Sequence, residues 1–295
     1  GLVAYLPFDS DYRDYSGRYH DGTPVGSPTF AAGRIGQALH FTTTNDDAVI
    51  NYVTLGYPAD LQFGTNNFSV GFWVNYTNQN DDPAFIANKS WSSSGNVGWG
   101  VFSQSGGNFR VNANGTSGTK MDTSATPLIR DGNWHFILCS FWRGQYTAVY
   151  LDGQLVLDSP LTFGGPVDTV TNGYAVNIGQ DGTGSYTDGN DSSLHIDGLI
   201  DEVMLWNRVV TPSEVNALYA AGTNSLSPFT FVTNVVPSEA SILLNWRGGV
   251  PPFTVEMKTN LTDPSWIQSE STTNQSIIIT NGSKTGFFRI NGTSQ

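Results

Sequence analysis

One cysteine, five glutamates and only 13 lysines and arginines in 295 residues mark what this chain lacks. The single cysteine, Cys139, excludes an intrachain disulfide framework, and its place inside the apolar run 136–142 predicts a buried, unreactive thiol. The shortage of basic residues against 25 acidic ones, a formal net charge of −12, argues against nucleic acid or an anionic membrane as partner. Neutral glycans or calcium suit such a surface better. No run of 18 apolar residues occurs, so no membrane insertion is expected. The four histidines, His20, His40, His135 and His195, are scattered without zinc-site spacing. No nucleophile elbow, phosphate loop or Cys–His pairing is visible. A first residue Gly1 in place of Met suits a processed, secreted product, and secretion to the extracellular space or cell surface is the expectation.

What is present points to an all-β chain. Aromatics make up 13% of the residues, and 33 glycines and 14 prolines break the apolar stretches into short runs. Strand-like alternation is read at 2–8, 38–41, 68–76, 98–102, 108–111, 134–142, 148–152, 175–178 and 198–206. In 134–142 both alternating sets are apolar, which predicts a strand covered on both faces. Turns at Arg143-Gly144 and Asp152-Gly153 extend it into a three-stranded meander. Thr211-Pro212-Ser213-Glu214 combines a cap, a proline at the first helical position and a glutamate three residues on, a capping box that predicts a two-turn helix ending near Gly222. The division expected from this is a domain over 1–222, a Ser, Asn and Pro rich linker over 223–229, and a small β-domain over 230–295. In the latter, short strands at 230–235, 242–246, 254–258, 266–269, 276–280 and 286–290 suit an Ig- or fibronectin-like sandwich one strand short of seven. Such a sheet has an open edge for self-association.

Five ordered blocks of the first domain resemble the laminin-G-like family of secreted bacterial proteins. They are Gly1-Leu2-Val3-Ala4-Tyr5-Leu6-Pro7-Phe8-Asp9 with Asp14-Tyr15-Ser16-Gly17, then Gly33-Arg34-Ile35-Gly36-Gln37-Ala38-Leu39, then Phe68-Ser69-Val70-Gly71-Phe72-Trp73-Val74. Trp134-His135-Phe136 with Tyr150-Leu151-Asp152-Gly153, and Gly198-Leu199-Ile200-Asp201-Glu202-Val203 with Trp206-Asn207-Arg208, complete the set. The resemblance implies a concanavalin A-like antiparallel β-sandwich, a jelly roll. Leu244-Asn245-Trp246 and Gly249-Val250-Pro251-Pro252-Phe253-Thr254-Val255 resemble the fibronectin-like endings of secreted proteins.

Glycosidases of this shape place paired carboxylates across a cleft, whereas the first domain holds only Glu202 and Glu214. Glu214 belongs to the capping box, and Glu202 beside Asp201 is expected to face the opposite side of its strand, so no catalytic residue and no enzyme activity are expected. For calcium, Asp9, Asp11 and Asp14 in the loop after the first strand, joined by Asp201, offer the hard oxygen donors the ion takes. A second acidic group, Asp181, Asp188, Asp191 and Asp197, lies in a Gly-rich loop. Glycan recognition needs exposed aromatics beside amides and carboxylates. The candidates are Trp91 and Trp99 around 92–96, Tyr186 with Asp188 and Asp191, and the stretch 78–82, with Trp91 expected to be the most exposed. Nine Asn-X-Ser/Thr sequons favour an extracellular setting.

The expected function is a non-catalytic, lectin-like extracellular binding or adhesion protein, calcium-stabilised, that recognises a glycan or surface partner. Two alternatives stand beside it: a self-assembling subunit of an extracellular filament or surface layer, and an accessory module of a polysaccharide-degrading enzyme.

Overall fold

The computed structural model describes residues 1–41, 50–77, 82–93, 95–123, 126–168, 173–186, 197–223, 231–237, 241–247, 252–258, 260, 265–274, 276–280 and 287–291. The chain divides into two compact units, Gly1–Tyr219 and Ala220–Gln295. In chain order the strands of the first are β1 (Leu2–Leu6), β2 (Thr23–Val25), β3 (Thr29–Ala32), β4 (Gln37–Phe41), β5 (Tyr52–Thr54), β6 (Phe68–Tyr76), β7 (Ala84–Ala87), β8 (Gly98–Ser103) and β9 (Phe109–Asn114). There follow β10 (Ser117–Gly118), β11 (Met121–Thr123), β12 (His135–Trp142), β13 (Tyr146–Leu151), β14 (Gln154–Pro160), β15 (Phe163–Gly164), β16 (Asn177–Ile178) and β17 (Gly198–Trp206).

Among the described residues, eight strands form one antiparallel sheet in the order β14-β13-β12-β6-β17-β4-β3, with β1 also on β17. Seven form the facing sheet, β11-β9-β8-β7-β16-β5-β2, and β10 and β15 make a two-stranded ribbon. Alternation along each strand sends one set of side chains between the sheets. Val70, Phe72, Ile137, Cys139 and Val149 from the first meet Phe85, Val101, Phe109, Val111 and Met121 from the second in one core. Phe63, Phe68 and Phe141 stack through it at 4.5 and 4.3 Å between ring centroids, with Trp99 alongside. Burial of each such ring contributes about 2–3 kcal/mol.

The other face of the eight-stranded sheet is covered too, as the doubly apolar β12 predicted. Trp73 packs on Phe136 and stacks on Tyr219 of α1 (Pro212–Thr223). Ser69 Oγ donates to Arg208 O and receives the Val210 N–H, so the segment after β17 is sewn across this face. The helix starts on the capping box: Thr211 N–H donates to Glu214 Oε2 at 2.8 Å, and Glu214 N–H to Thr211 Oγ1 at 3.4 Å. At 12 residues it runs about one turn beyond the expected two. The meander forms on the two expected turns, with Asp152 and Gly153 both at positive φ as a two-residue hairpin requires.

The sheet closes at β17. One edge pairs with β6; the other pairs first with β4 through Ile200 and then with β1 from Val203 onward. A bulge separates the two stretches, with Glu202 at φ +53°. The bulge interrupts the alternation that was expected to set Asp201 and Glu202 on opposite faces, and both carboxylates are wholly buried. Asp201 Oδ2 accepts the Arg34 and Ile35 N–H groups at 2.8 and 3.0 Å, and Asp9 Oδ1 accepts the Gln37 N–H at 2.9 Å. The 33–36 turn is thus clamped from both sides.

The second unit contains β18 (Phe231–Pro237), β19 (Ser241–Arg247), β20 (Phe253–Lys258), β21 (Ile267–Thr272), β22 (Ser276–Thr280) and β23 (Phe287–Asn291). They form two three-stranded sheets, β18-β19-β22 and β21-β20-β23, which share a core of Leu244, Trp246, Phe253, Val255, Ile279 and Ile290.

Gly36 sits at φ +56°, and a β-carbon there would lie 1.8 Å from Asp9 Oδ1. Gly36→Ala is expected to cost about 1–3 kcal/mol in urea unfolding. Gly17→Ala, at φ +83° with open space around it, is the control and should cost only roughly 1 kcal/mol.

Candidate functional site

The four expected calcium ligands, Asp9, Asp11, Asp14 and Asp201, each accept from backbone N–H groups. Asp14 is buried, with Oδ1 accepting the Tyr5 and Ser16 N–H groups and Oδ2 the His20 N–H, so it builds the loop itself. Asp11 accepts from Arg13 N–H and Tyr15 Oη. Asp9 and Asp201 hold the 33–36 turn. Among the described residues no three His, Cys, Asp or Glu side chains are placed to hold a metal ion. Backbone N–H donors take both oxygens of Asp14 and one oxygen each of Asp9, Asp11 and Asp201. Glu202 accepts from Tyr5 Oη at 2.6 Å, and burial raises its carboxyl well above the usual carboxylate range. Burial and the neighbouring Glu202 likewise raise Asp201.

The glycan candidates fare differently from one another. Trp91, expected in solvent, is buried at 4% exposure because it stacks on Phe102 at 3.7 Å between centroids. Trp99 is wholly buried in the inter-sheet core. Neither offers a platform. Tyr186 is half-buried against Ala84, Ala87, Trp91 and Phe102, and donates to Asp82 Oδ1 at 2.7 Å. Asp188 and Asp191 lie outside the described residues, as do 78–81. Asp181 is buried and structural: Oδ2 takes the Trp91 N–H, Oδ1 the Thr183 N–H, and its carbonyl the Asn177 Nδ2.

What Trp91 does mark is the outer face of the seven-stranded sheet. In β9, Phe109, Val111 and Ala113 enter the core, so Arg110, Asn112 and Asn114 face outward. The register places Asp122 of β11 and Gly100 of β8 beside Asn112, Phe102 beside Arg110, and Gly98 beside Asn114. The two glycines make a floor. A β-carbon on Gly98 would meet Lys89 Cβ at 2.3 Å, and one on Gly100 would meet Phe102 Cζ at 2.5 Å. Lys89 and Phe102 can therefore lie flat on β8.

Lys89 is wholly buried there. Its Nζ donates to Asn112 Oδ1, and burial lowers its pKa to about 7, an effect that Asp122 partly offsets and Lys120 reinforces. Arg110 Cζ and Lys89 Nζ sit 5.7 and 5.5 Å from the Trp91 ring centroid. Asp122 lies 3.5 Å from Arg110 Nε and 3.3 Å from Lys120 Nζ. Among the described residues, buried atoms of this face without a hydrogen-bond partner include Trp91 Nε1, Arg110 Nε, Asn112 Nδ2 and Asn114 Oδ1. Behind it, Asn88 gives Nδ2 to Asp168 and takes the Trp99 N–H on Oδ1, so this sequon asparagine is part of the interior. Sequence reasoning missed Lys89, Arg110, Asn112 and Asp122, although the period-2 alternation of 109–114 was a signal for two of them.

Neither glutamate of the first unit is placed as a catalytic acid or base. Glu202 is sealed in the bulge, and Glu214, held down to about 2 by Arg208, pairs with that guanidinium at 2.7 and 2.8 Å.

Two facing antiparallel sheets with this order and bulge define a concanavalin-like jelly roll. The chain belongs to the concanavalin A-like lectin/glucanases superfamily, whose laminin-G-type model matches residues 46–216, more than half its length. Similar solved structures include domain 4 of AbnA, an extracellular GH43 arabinanase from Geobacillus stearothermophilus, in complex with arabinotriose. That match has 21% identity and a TM-score of 0.52, and covers 74% of this chain and 98% of that one. The binding domain of Paraclostridial Mosquitocidal Protein 1 matches at 16% identity, covering 90% of this chain and 63% of that one, with a TM-score of 0.59. The binding domain of botulinum neurotoxin serotype G matches at 12%, covering 98% and 81%, with a TM-score of 0.56. At these identities the likeness concerns the fold. No curated protein matches the sequence.

Two outcomes are expected. Adding millimolar calcium to chelator-treated protein should leave the thermal midpoint unchanged; a rise that Asp201→Asn abolishes would contradict the donor assignment. Lys89 has a folded pKa below its unfolded value of 10.5, so between about 7 and 10.5 the unfolded state binds more protons and stability rises with pH. Urea unfolding from pH 7 to 9 should show that rise in the parent protein and a flatter profile in Lys89→Met.

Proposed function

We propose that this chain is a non-catalytic, lectin-like binding module that takes a glycan across the outer face of its seven-stranded sheet. The observation that carries this reading is the convergence there of Arg110, Lys120 and Asp122 with buried polar atoms of Trp91, Asn112 and Asn114 that have no hydrogen-bond partner among the described residues. A sugar hydroxyl both donates and accepts, and an ion-pair row beside amides answers it on both counts. Tyr186 supplies the aromatic wall. Trp91 acts from beneath, fixing the floor on which Arg110 rests.

An extracellular setting belongs to the same reading, supported by the low lysine content and the sequons. So does an Ig- or fibronectin-like role for the second unit, supported by its two sheets on one core. The arabinanase neighbour is one domain of a polysaccharide-degrading enzyme, which favours an accessory role in such a protein over free adhesion. A second reading, a self-assembling subunit, draws on Ile267 and Ile278, 67% and 61% exposed on the outer strands β21 and β22.

A glycan array followed by calorimetric titration tests the binding reading. Arg110→Ala and Tyr186→Ala are each expected to weaken the best ligand about tenfold or more with the thermal midpoint little changed, a loss of ~1.4 kcal/mol or more. Trp91→Ala should instead lower stability. The bound glycan should show no new reducing ends, and light scattering of the same sample reads its mass. An array without hits, or release of reducing sugar, would overturn the reading.

A further inference from the structure

A row of flat rings stands on the outer face of the eight-stranded sheet, on the opposite side of the sandwich from Arg110. In β12, Ile137, Cys139 and Phe141 enter the core, and in β13 Val149 and Leu151 do, so Trp142, Tyr146, Ala148 and Tyr150 face outward. The register sets Trp142 beside Tyr146, and Tyr146 beside Pro160 of β14. The Trp142 and Tyr146 ring centroids are 5.4 Å apart. Two residues along, Ala148 pairs with Asp158, and beyond it Tyr150 pairs with Leu155. The segment after β17 reaches this face at Ser140, whose Oγ donates to Val210 O. Two residues on, Trp142 is 37% exposed, and among the described residues every other tryptophan is more buried. Pro160 and Asp158 are exposed as well. Burial raises the Tyr150 phenol, and the neighbouring Tyr146 and Asp158 add to that rise, so its Oη stays a hydrogen-bond donor near an exposed carboxylate.

Size and polarity narrow the occupant. A stable protein interface uses roughly 20–30 residues a side, far more than this row supplies. One or two sugar rings match it, because their C–H groups lie flat on an aromatic face while the hydroxyls at the ring edge reach polar neighbours. Tryptophan and tyrosine serve both needs, with an apolar body and a polar tip. The Asp158 carboxylate only accepts, which suits a ligand whose hydroxyls donate. An acidic sugar would meet that carboxylate with like charge, on a chain of net charge −12. The cation of the hairpin turn is committed elsewhere, since Arg143 Nη1 and Nη2 donate to the Gly64 and Gly165 carbonyls.

We propose that this row is a second carbohydrate site, which takes a neutral pyranose ring of a polysaccharide on Trp142 and Tyr146 with Asp158 accepting from its hydroxyls. It lies across the sandwich from the face of Arg110 and Tyr186 and stands independently of it. With both faces occupied, one unit holds two glycan chains, and avidity follows where the two belong to one matrix.

Arg110→Ala, which disables the first face, isolates the second. Calorimetric titration of this full-length variant with cellohexaose, xylohexaose and mannohexaose is expected to show remaining binding by at least one of them. Adding Trp142→Ala should weaken that binding about tenfold or more. Adding Asp158→Ala should weaken it about tenfold. Bound sugar should also shield the indole, so acrylamide quenching of tryptophan fluorescence falls on binding and no longer falls in Trp142→Phe. Both side chains are exposed, and an unchanged thermal midpoint is the folding control. Binding that neither substitution weakens, or no binding by any of the three sugars to Arg110→Ala, overturns the second site and leaves the first face to its own test. A dimer in light scattering that Trp142→Ala dissolves makes the row a contact between copies and overturns the sugar site as well. If Trp142→Ala alone abolishes all binding by the parent chain, the first-face reading fails and the second site stands.

Discussion

The closure of the first unit depends on one buried carboxylate. Asp201, at the bulge of the last strand, receives two N–H groups from the turn that leads into β4, and the same strand then passes on to pair with β1. A charged group so deep would be costly without those donors. Burial raises both Asp201 and Glu202, and Tyr5 Oη meets the latter. The bulge thereby joins residues near the two ends of the unit, and its chemistry is that of a clasp. The acidic residues of the first loop work the same way, each accepting from backbone N–H groups.

A second buried polar system supports the other sheet. Asp168, Asn88, Lys89, Asn112 and Asp181 run from the end of the sandwich to its outer face, each linked to backbone or to the next side chain. Because these groups must be satisfied as a set, they fix the 88–91 segment over β8 and aim Trp91 onto Phe102. The result is a preformed face, with Arg110 and Lys120 at its edge. The two glutamates of the unit lie elsewhere, in the bulge of β17 and the helix cap.

The fold was largely legible in the sequence. Two-residue periodicity exposed the long strands, Asp152-Gly153 announced its hairpin, and Thr211 with Glu214 announced the helix start. Each is a local signal that acts over a few residues. The site was much less legible. Trp91 in a polar stretch reads as exposed, yet Phe102 of β8 covers it. Asp9, Asp11 and Asp14 read as cation ligands because composition cannot show that backbone N–H groups reach them first. Glu202 reads as facing away from Asp201 only until a left-handed residue breaks the alternation.

By itself the sequence determined the class: an acidic, disulfide-free, all-β chain with a laminin-G-like order of motifs and a small β-unit behind it. Periodicity and turn chemistry are local, and they survive without knowledge of what lies across the sheet. Only the tertiary structure decided that Lys89, Arg110, Lys120 and Asp122 share a face, and that the acidic loop is a clasp. Those groups meet through strand order and loop packing, where separations of tens to nearly two hundred residues leave no periodic trace in the chain.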